Sequence, residues 1–155
     1  MDKRGVIFLV IVLAACRPEK KGPPIEAVAT LHDVMHDLVI PNAEVVWESV
    51  GTVATVGQVQ EIAPRNDEEW QAVERAATAL TEAGNLLMME GRSKPEGKWM
   101  EHCRKMREAG AAIHRAAKAH DAARVFETGG QLFESCQGCH FEYRFREDPQ
   151  TIRTH

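Results

Sequence analysis

Apolar residues recur at helical spacing in four separate blocks of this chain, and few segments alternate between apolar and polar residues as strands do. The first block runs from about Ile25 to Ile40, is interrupted or kinked at Pro41, and continues from Asn42 to Val53. Its apolar stripe consists of Ile25, Val28, Leu31, Met35 and Leu38. The pattern predicts two helical pieces that meet at the proline.

The three later blocks each carry one apolar stripe. The second block begins at Asn66 or Asp67, just before the acidic residues that a helix dipole favours in the first turn. The fourth begins near His120 and Asp121. The stripes are Trp70, Val73, Ala77, Leu80, Gly84 and Leu87, then Trp99, Cys103, Met106, Gly110, Ile113 and Ala117, then Ala122, Val125, Gly129, Leu132, Cys136, Cys139 and Tyr143. Four amphipathic blocks predict an all-α fold, an antiparallel four-helix bundle over residues 25–146, with a tail at 147–155.

Length and charge narrow the class of protein. The chain has 155 residues, and about 140 remain if the first 15 are removed, which is the size of one domain. With 44% hydrophobic and 27% charged residues, the chain is neither disordered nor rich in membrane spans. The net charge is −4, and no long basic run is present to neutralise phosphates. We therefore expect no nucleic-acid partner.

The N-terminus has the features of an export signal. Two basic residues precede the apolar segment 5–13, which is too short to span a bilayer as a stable helix. The segment leads into Leu-Ala-Ala-Cys16, which resembles the bacterial lipobox, in which the cysteine is lipidated and becomes the first mature residue. Residues 1–15 are then a lipoprotein signal peptide. The alternative is an ordinary cleaved signal that leaves Cys16 as an incidental thiol.

The lipobox resemblance also implies where the mature protein resides. Residues 16–24 are charged, rich in proline and without periodicity, as expected of a flexible tether between an anchored end and a folded domain. Arg17 follows the cysteine, whereas in such lipoproteins an aspartate there favours retention in the inner membrane. We expect a periplasmic protein that is anchored by lipid to a membrane, with the outer membrane favoured.

The fourth block contains the pentapeptide Cys136-Gln-Gly-Cys139-His140, which is the attachment pattern of c-type haem. Two thiols can add to the two vinyl groups of haem, and an imidazole directly after the second thiol can coordinate the iron. On a helix these three side chains lie three and four positions apart and share one face. Gly138 removes side-chain bulk between the thiols, which would let a porphyrin approach the backbone.

Three other uses of the cysteine pair fit the chain less well. A thioredoxin-type redox pair belongs near a βαβ pattern, which the sequence lacks. A closed zinc site needs a second pair of ligands, and the sequence offers only Cys103 and scattered histidines. A structural disulfide between Cys136 and Cys139 would leave His140 and the helical blocks unexplained. The motif therefore predicts one covalently bound haem c.

The C-terminal sequence CQGCHFEYR in an alanine-rich four-helix domain resembles the class II c-type cytochromes, the cytochrome c′ family. In that family the attachment motif lies on the last helix and is followed by an aromatic residue and an arginine, here Tyr143 and Arg144. The resemblance covers roughly residues 25–146. It implies that the two cysteines anchor the haem and that His140 is the proximal iron ligand. It also implies that Arg144 is a cation near His140 or a haem propionate.

Members of this family differ at the distal face of the iron, where some present a methionine of the first helix and others leave the iron five-coordinate. At about 100° per residue, the mean apolar direction of the first block falls within roughly 10° of Met35, about 70° from His32 and about 110° from His36. Met35 also matches the family position of the methionine ligand. We therefore expect Met35 as the sixth ligand and His32 as the reserve. Core packing is the alternative role of Met35.

These expectations combine into a function. A low-spin haem held by His140 and Met35 would make the protein a single-electron carrier that meets redox partner proteins and has no enzymatic activity. The alternative is a five-coordinate haem protein that binds NO or CO, in which Met35 only packs. No convergent acid and base pair in the sequence supports peroxidase-like chemistry. A homodimer is a further option.

Several other residues have structural roles by the same reasoning. Cys103, on the stripe of the third block, is expected to be buried and inert. His36, His102 and His114 are expected in solvent, and His120 is expected at a helix junction. The three tryptophans are expected in the core or at the haem edge.

Overall fold

The computed structural model of the protein describes residues 25–94 and 97–144. Within them 69% of the residues are helical, so the fold is mostly helical, as the apolar stripes predict. The predicted signal peptide, Cys16, the tether and the tail at 147–155 lie outside the described residues. None of the helices in the described ranges has the length and apolar character needed to cross a membrane.

The described elements are one continuous first helix, a hairpin and three further helices. The first helix consists of α1 (Leu31–Asp33), a π-helical segment (Val34–Val39) and α2 (Ile40–Ser49). The hairpin and the later helices are β1 (Gly51–Thr55), β2 (Gln58–Ile62), α3 (Asp67–Leu87), α4 (Trp99–Lys118) and α5 (Ala122–Tyr143). α4 packs against both α3 and α5, and α2 packs against α3.

The first helix begins at Leu31, later than the apolar pattern predicts. Thr30 and Asp33 form a capping box, in which the N–H of Asp33 donates to the Thr30 hydroxyl at 3.1 Å and the N–H of Thr30 donates to the Asp33 carboxylate at 3.0 Å. Ile25 and Val28, expected on the buried stripe, are 78% and 88% exposed. That part of the prediction is wrong because the capping box fixes the helix start and leaves both residues before it.

Pro41 changes the hydrogen bonding of the first helix without ending it. Proline has no N–H to donate to the carbonyl four residues earlier, and its ring crowds that carbonyl. The side chain of Asn42 donates to the Leu38 carbonyl at 2.7 Å, so a side chain supplies one hydrogen bond in this turn. The predicted interruption at Pro41 is therefore a change of helix type.

The turn before Pro41 is π-helical. The N–H of Ile40 donates to the carbonyl of Met35, five residues earlier, where an α-helix would use the fourth. Val34 and Val39, also five residues apart, are both buried. In a regular α-helix residues at that spacing point in clearly different directions. The widened turn thus brings both valines into the core.

A hairpin replaces the predicted helical continuation to Val53. α2 ends at Ser49, and β1 pairs antiparallel with β2, with Gly51 opposite Ile62. Gly57 in the turn has a φ of +83°, which glycine adopts without steric cost. The helical prediction is wrong here because glycine disfavours a helix and the valine and threonine residues of this segment favour strands.

Two of the long helices, α3 and α5, begin where the capping signals predict. The N–H of Glu69 donates to the Asn66 side chain at 2.9 Å, which caps α3. The N–H of Arg124 donates to Asp121 at 2.9 Å, which caps α5. His120 lies at the junction of α4 and α5, as predicted, and has a φ of +53°.

The core lies between the predicted stripes. Every stripe residue of α3 and α4 is buried. The largest fully buried side chains are Leu80, Ile113, Leu132, Val46, Val73, Val125 and Thr128. On α5 the stripe is buried from Val125 to Leu132 and only half-buried at Cys136, Cys139 and Tyr143. The core therefore opens toward the C-terminal end of α5.

Candidate functional site

A cavity of about 560 Å³ lies where the stripe of α5 becomes half-buried. The first helix and α5 supply most of its lining, and Leu87 at the end of α3 and four residues of α4 complete it, namely Trp99, His102, Cys103 and Met106. Its size falls in the range of roughly 300–1,000 Å³ that is common for small-molecule and cofactor pockets. The cavity is therefore the candidate functional site.

α5 brings the predicted attachment residues to this cavity. Cys136, Cys139 and His140 are half-buried and all line it. The helix continues through the motif to Tyr143. Positions three and four residues apart on such a helix are neighbours, so two thiols and one imidazole share a single wall.

The thiols at this wall are protonated at neutral pH. Burial raises the pKa of Cys136, and burial together with the neighbouring Cys103 and Cys136 raises the pKa of Cys139 to about 12. Cys103 is buried, as predicted, and burial raises its pKa to about 11. These three cysteines are free thiols in the described residues, so the wall presents S–H groups and no disulfide.

His140 lies beside a positive charge. Burial lowers the pKa of its imidazole, and the charge of Arg144 lowers it further. Arg144 lies one turn later, where its backbone N–H donates to the His140 carbonyl at 2.9 Å and its side chain lines the same cavity. A lowered pKa favours the neutral imidazole, whose lone pair can bind a metal.

The first helix brings Met35 and two histidines to the same cavity. Met35 is half-buried and packs against the core, as its direction on the apolar stripe predicts. His36 is exposed, as predicted, and so is His32, yet both line the cavity beside Met35. Both histidines line the cavity and still remain exposed because the cavity is open to solvent at the first helix.

Contacts between α4 and α5 hold one corner of the cavity together. The backbone N–H of Trp99 donates to the Tyr143 hydroxyl at 2.8 Å, and the two rings meet edge to face with centroids 5.1 Å apart. The indole N–H of Trp99 donates to the Leu87 carbonyl at 2.9 Å. One tryptophan thus joins α3, α4 and α5. Sequence reasoning missed this role because Trp99 and Tyr143 are 44 residues apart and no local signal links them.

Gly138 lies against His102, whose position differs from the sequence-based expectation. A Cβ added at Gly138 would lie 2.7 Å from Cε1 of the His102 ring, so the absent side chain makes room for a histidine of α4. The approach of a porphyrin at this glycine stays a prediction. His102 was expected in solvent, but its side chain is only 12% exposed and its Nε2 lies 3.4 Å from Oε2 of Glu142. Its position three residues after Trp99 is the sequence signal for burial.

The tryptophans divide between the cavity and the rest of the fold. Trp99 lines the cavity. Trp70 is buried and stacks on His120 at a centroid distance of 4.9 Å, far along the chain from the attachment residues. Trp47 is partly exposed on α2, and its indole N–H donates to the Gly129 carbonyl at 3.0 Å. Trp99 is therefore the tryptophan positioned to contact a ligand of the cavity.

Comparison with known proteins finds no match for this chain among protein families, curated proteins or solved structures. Within residues 25–94 and 97–144, no three side chains of His, Cys, Asp or Glu are grouped to hold a metal ion. The cavity is lined by three thiols, two half-buried imidazoles and two thioethers among apolar residues, namely Cys103, Cys136, Cys139, His102, His140, Met35 and Met106.

Proposed function

We propose that this protein is a c-type cytochrome, an antiparallel four-helix bundle that holds one covalent haem c and transfers single electrons. One observation carries the proposal. Cys136, Cys139 and His140 line the cavity from α5, and Met35 lines it from the first helix. These residues are about a hundred positions apart in the sequence, so local spacing alone does not explain why they meet.

The side chains of α5 match what haem c requires. Each thiol, Cys136 and Cys139, can add across one vinyl group, so that a C–S bond forms and the hydrogen passes to the other vinyl carbon. His140, kept neutral by burial, can donate its lone pair to iron. Most of the surface around these groups is apolar, which suits the porphyrin ring. Once bound, haem supplies the one-electron couple of its iron.

Met35 is the sixth ligand in this proposal. Its side chain is half-buried and lines the cavity, so a thioether is available to a group bound there. A methionine ligand favours ferrous iron and raises the reduction potential. His32 is the reserve ligand because it lines the same cavity from one helical turn earlier. Arg144 supplies a positive charge beside His140 or a propionate.

One feature of the cavity supports a second function, the binding of NO or CO. The first-helix side is exposed at His32, His36 and Ile40, so a small gas can enter from solvent. If Met35 only packs against the core, the iron is five-coordinate and this position is open to the gas. The two functions therefore differ in whether Met35 occupies the sixth coordination position of the iron.

Mass and absorption measurements on the purified protein test the proposal. We expect the mass of one chain plus one haem, and a haem that stays with the chain in acidified solvent. Low-spin spectra in both oxidation states, with little change on addition of CO, indicate the electron carrier. Haem that leaves with the solvent, or no haem, contradicts the proposal. If the iron is high-spin and binds CO rapidly, gas binding becomes the proposed function in place of electron transfer.

The proposal includes attachment to a membrane, with the outer membrane favoured, through lipid on Cys16. The protein then meets its redox partner proteins, or a second copy of itself, in the periplasm. Cys16→Ser is expected to move the protein into the soluble periplasmic fraction with an unchanged haem spectrum, because a flexible tether separates that end from the helices. An unaltered protein that is already soluble, with no acyl mass on its N-terminal peptide, contradicts the lipid anchor.

A further inference from the structure

His32 and His36 form a pair of imidazoles on the first helix. Their rings are stacked, with centroids 5.7 Å apart and planes inclined by 9°. Their side chains are 84% and 70% exposed, so dissolved ions reach both rings. Two histidines four residues apart on one helix face can bind a single divalent ion. The pair is thus a candidate metal site distinct from the thiols of α5.

Each imidazole has a carboxylate beside its Nδ1 atom. Nδ1 of His36 lies 2.7 Å from Oδ1 of Asp37, and because an ionised carboxylate only accepts, Nδ1–H is the donor and the lone pair of the neutral ring is on Nε2. Nδ1 of His32 lies 3.7 Å from Oδ1 of Asp33. The backbone N–H of Thr30 donates to Oδ2 of Asp33 at 3.0 Å and holds this carboxylate in place. A carboxylate behind the ring is the usual companion of a metal-binding histidine.

We propose that His32 and His36 together bind one divalent ion of the late first transition row, Cu²⁺ or Zn²⁺, through their Nε2 atoms. Imidazole nitrogen suits these ions, and Cu²⁺ binds most tightly in the divalent series. Bonds of about 2.0–2.1 Å require the two rings to tilt toward each other from their parallel stack. Both side chains are exposed and can make this change by rotation about their χ angles.

The pair supplies two ligands, and water completes the coordination shell. The site is therefore open, unlike a closed structural zinc site with four protein ligands. Asp33 and Asp37 add negative charge close to the ion, which favours binding. A bound ion connects α1 to the π-helical segment, because His32 belongs to the former and His36 to the latter. The ion thus stabilises the folded start of the first helix.

Calorimetric titration of the intact protein with ZnCl₂, and separately with CuSO₄, tests this site. We expect the unaltered protein to bind one ion per chain at this site, and we expect the double variant His32→Ala/His36→Ala to lose this binding. Each single variant should bind at least tenfold more weakly, and Asp37→Asn about tenfold more weakly, because a carboxylate behind a ligand typically changes affinity by that factor. His114→Ala, which removes a partly exposed histidine of α4, is the matched control and should leave binding unchanged.

Two results overturn the proposal: a double variant that binds the ion as the unaltered protein does, or an unaltered protein that binds no ion. Circular dichroism verifies the fold of each variant, which should persist because both side chains are exposed. Electron paramagnetic resonance of the Cu²⁺ form should show coupling to two imidazole nitrogens. All variants keep the same cysteines, so a difference in ion binding between them is due to the histidines. If the protein carries no haem but still binds an ion through these histidines, the cytochrome proposal is wrong and this inference holds.

Discussion

The two main walls of the cavity are built differently. α5 is tied to α4 by the hydrogen bond between Trp99 and Tyr143 and by the packing of the His102 ring against Gly138. The first helix begins only at Leu31, passes through a π-helical segment and presents exposed histidines. The proposed attachment groups therefore lie on α5, which we call the braced wall, and the proposed sixth ligands lie on the first helix, which we call the irregular wall. π-helical turns are frequent at functional sites, where they redirect side chains.

Removal of both thiols from the braced wall should have the largest effect. Cys136→Ala/Cys139→Ala is expected to abolish covalent haem, and the empty apolar cavity should lower the free energy of unfolding by about 2–5 kcal/mol relative to the loaded protein. Mass spectrometry and thermal unfolding measure the two effects. Cys103→Ala is the control at the same cavity, and it should keep the haem and cost about 1 kcal/mol. Covalent haem in the double variant would show that α5 is not the attachment wall.

Met35→Ala tests the irregular wall. If Met35 is the sixth ligand, this variant should become high-spin, bind CO rapidly and have a lower reduction potential, because a thioether favours ferrous iron. His32→Ala and His36→Ala are matched controls from the same cavity wall and should change the spectrum little. Spin state, CO binding rate and potential are the measurements. An open site in His32→Ala, with Met35→Ala unchanged, would assign the ligand to the histidine.

Substitution of two glycines, one beside α5 and one in the hairpin, tests how tightly the braced wall is packed. Gly97 has a φ of +74°, and an added Cβ would lie 2.5 Å from both the Tyr143 hydroxyl oxygen and Oε1 of Glu142. Gly57, in the hairpin turn, has a φ of +83° and open space around it. Gly97→Ala should lower the free energy of unfolding by about 2–3 kcal/mol, and Gly57→Ala by about 1 kcal/mol, because only the first adds a clash to the backbone strain. Equal losses in chemical denaturation would contradict close packing at this corner.

Asn42→Ala should have the smallest effect. The variant removes the side-chain donor to the Leu38 carbonyl beside the π-helical segment. We expect a loss of about 0.5–1.5 kcal/mol in the free energy of unfolding, the usual contribution of one hydrogen bond. Ser49→Ala, which removes a similar bond from a hydroxyl to the Val46 carbonyl at the far end of α2, is the control for a regular turn. A larger spectral change in Asn42→Ala would show that the irregular turn positions the sixth ligand.

The sequence predicts which residues of α5 line the cavity better than it does for the first helix, and the reason is physical. Cys136, Cys139 and His140 are contiguous, and a regular helix converts their spacing directly into a shared face. Likewise, the stripes of α3 and α4 identify the core, since 3.6-residue periodicity holds along both helices. Where the backbone is a regular helix, the local sequence pattern is sufficient to predict which residues share a face.

On the first helix the assumption of regular periodicity fails. The capping box at Thr30 leaves Ile25 outside the helix, and the π-helical turn before Pro41 alters every direction measured across it. His36 lines the cavity although its predicted direction pointed away. Contacts such as that of His102 with Gly138 join distant parts of the chain and depend on how α4 meets α5. Neither kind of feature has a strong local signal in the sequence.

The hairpin offers a position for engineered attachment. Gly51 and Ile62 are paired at its base, so the ends of any segment that replaces the turn remain side by side. Val56 at its tip is fully exposed, and α2 separates the hairpin from Ile40 at the cavity by about 15 Å at 1.5 Å per residue. A fluorophore, an affinity tag or a link to an electrode inserted beside Gly57 would therefore leave the cavity wall intact while giving the protein a defined orientation on a surface.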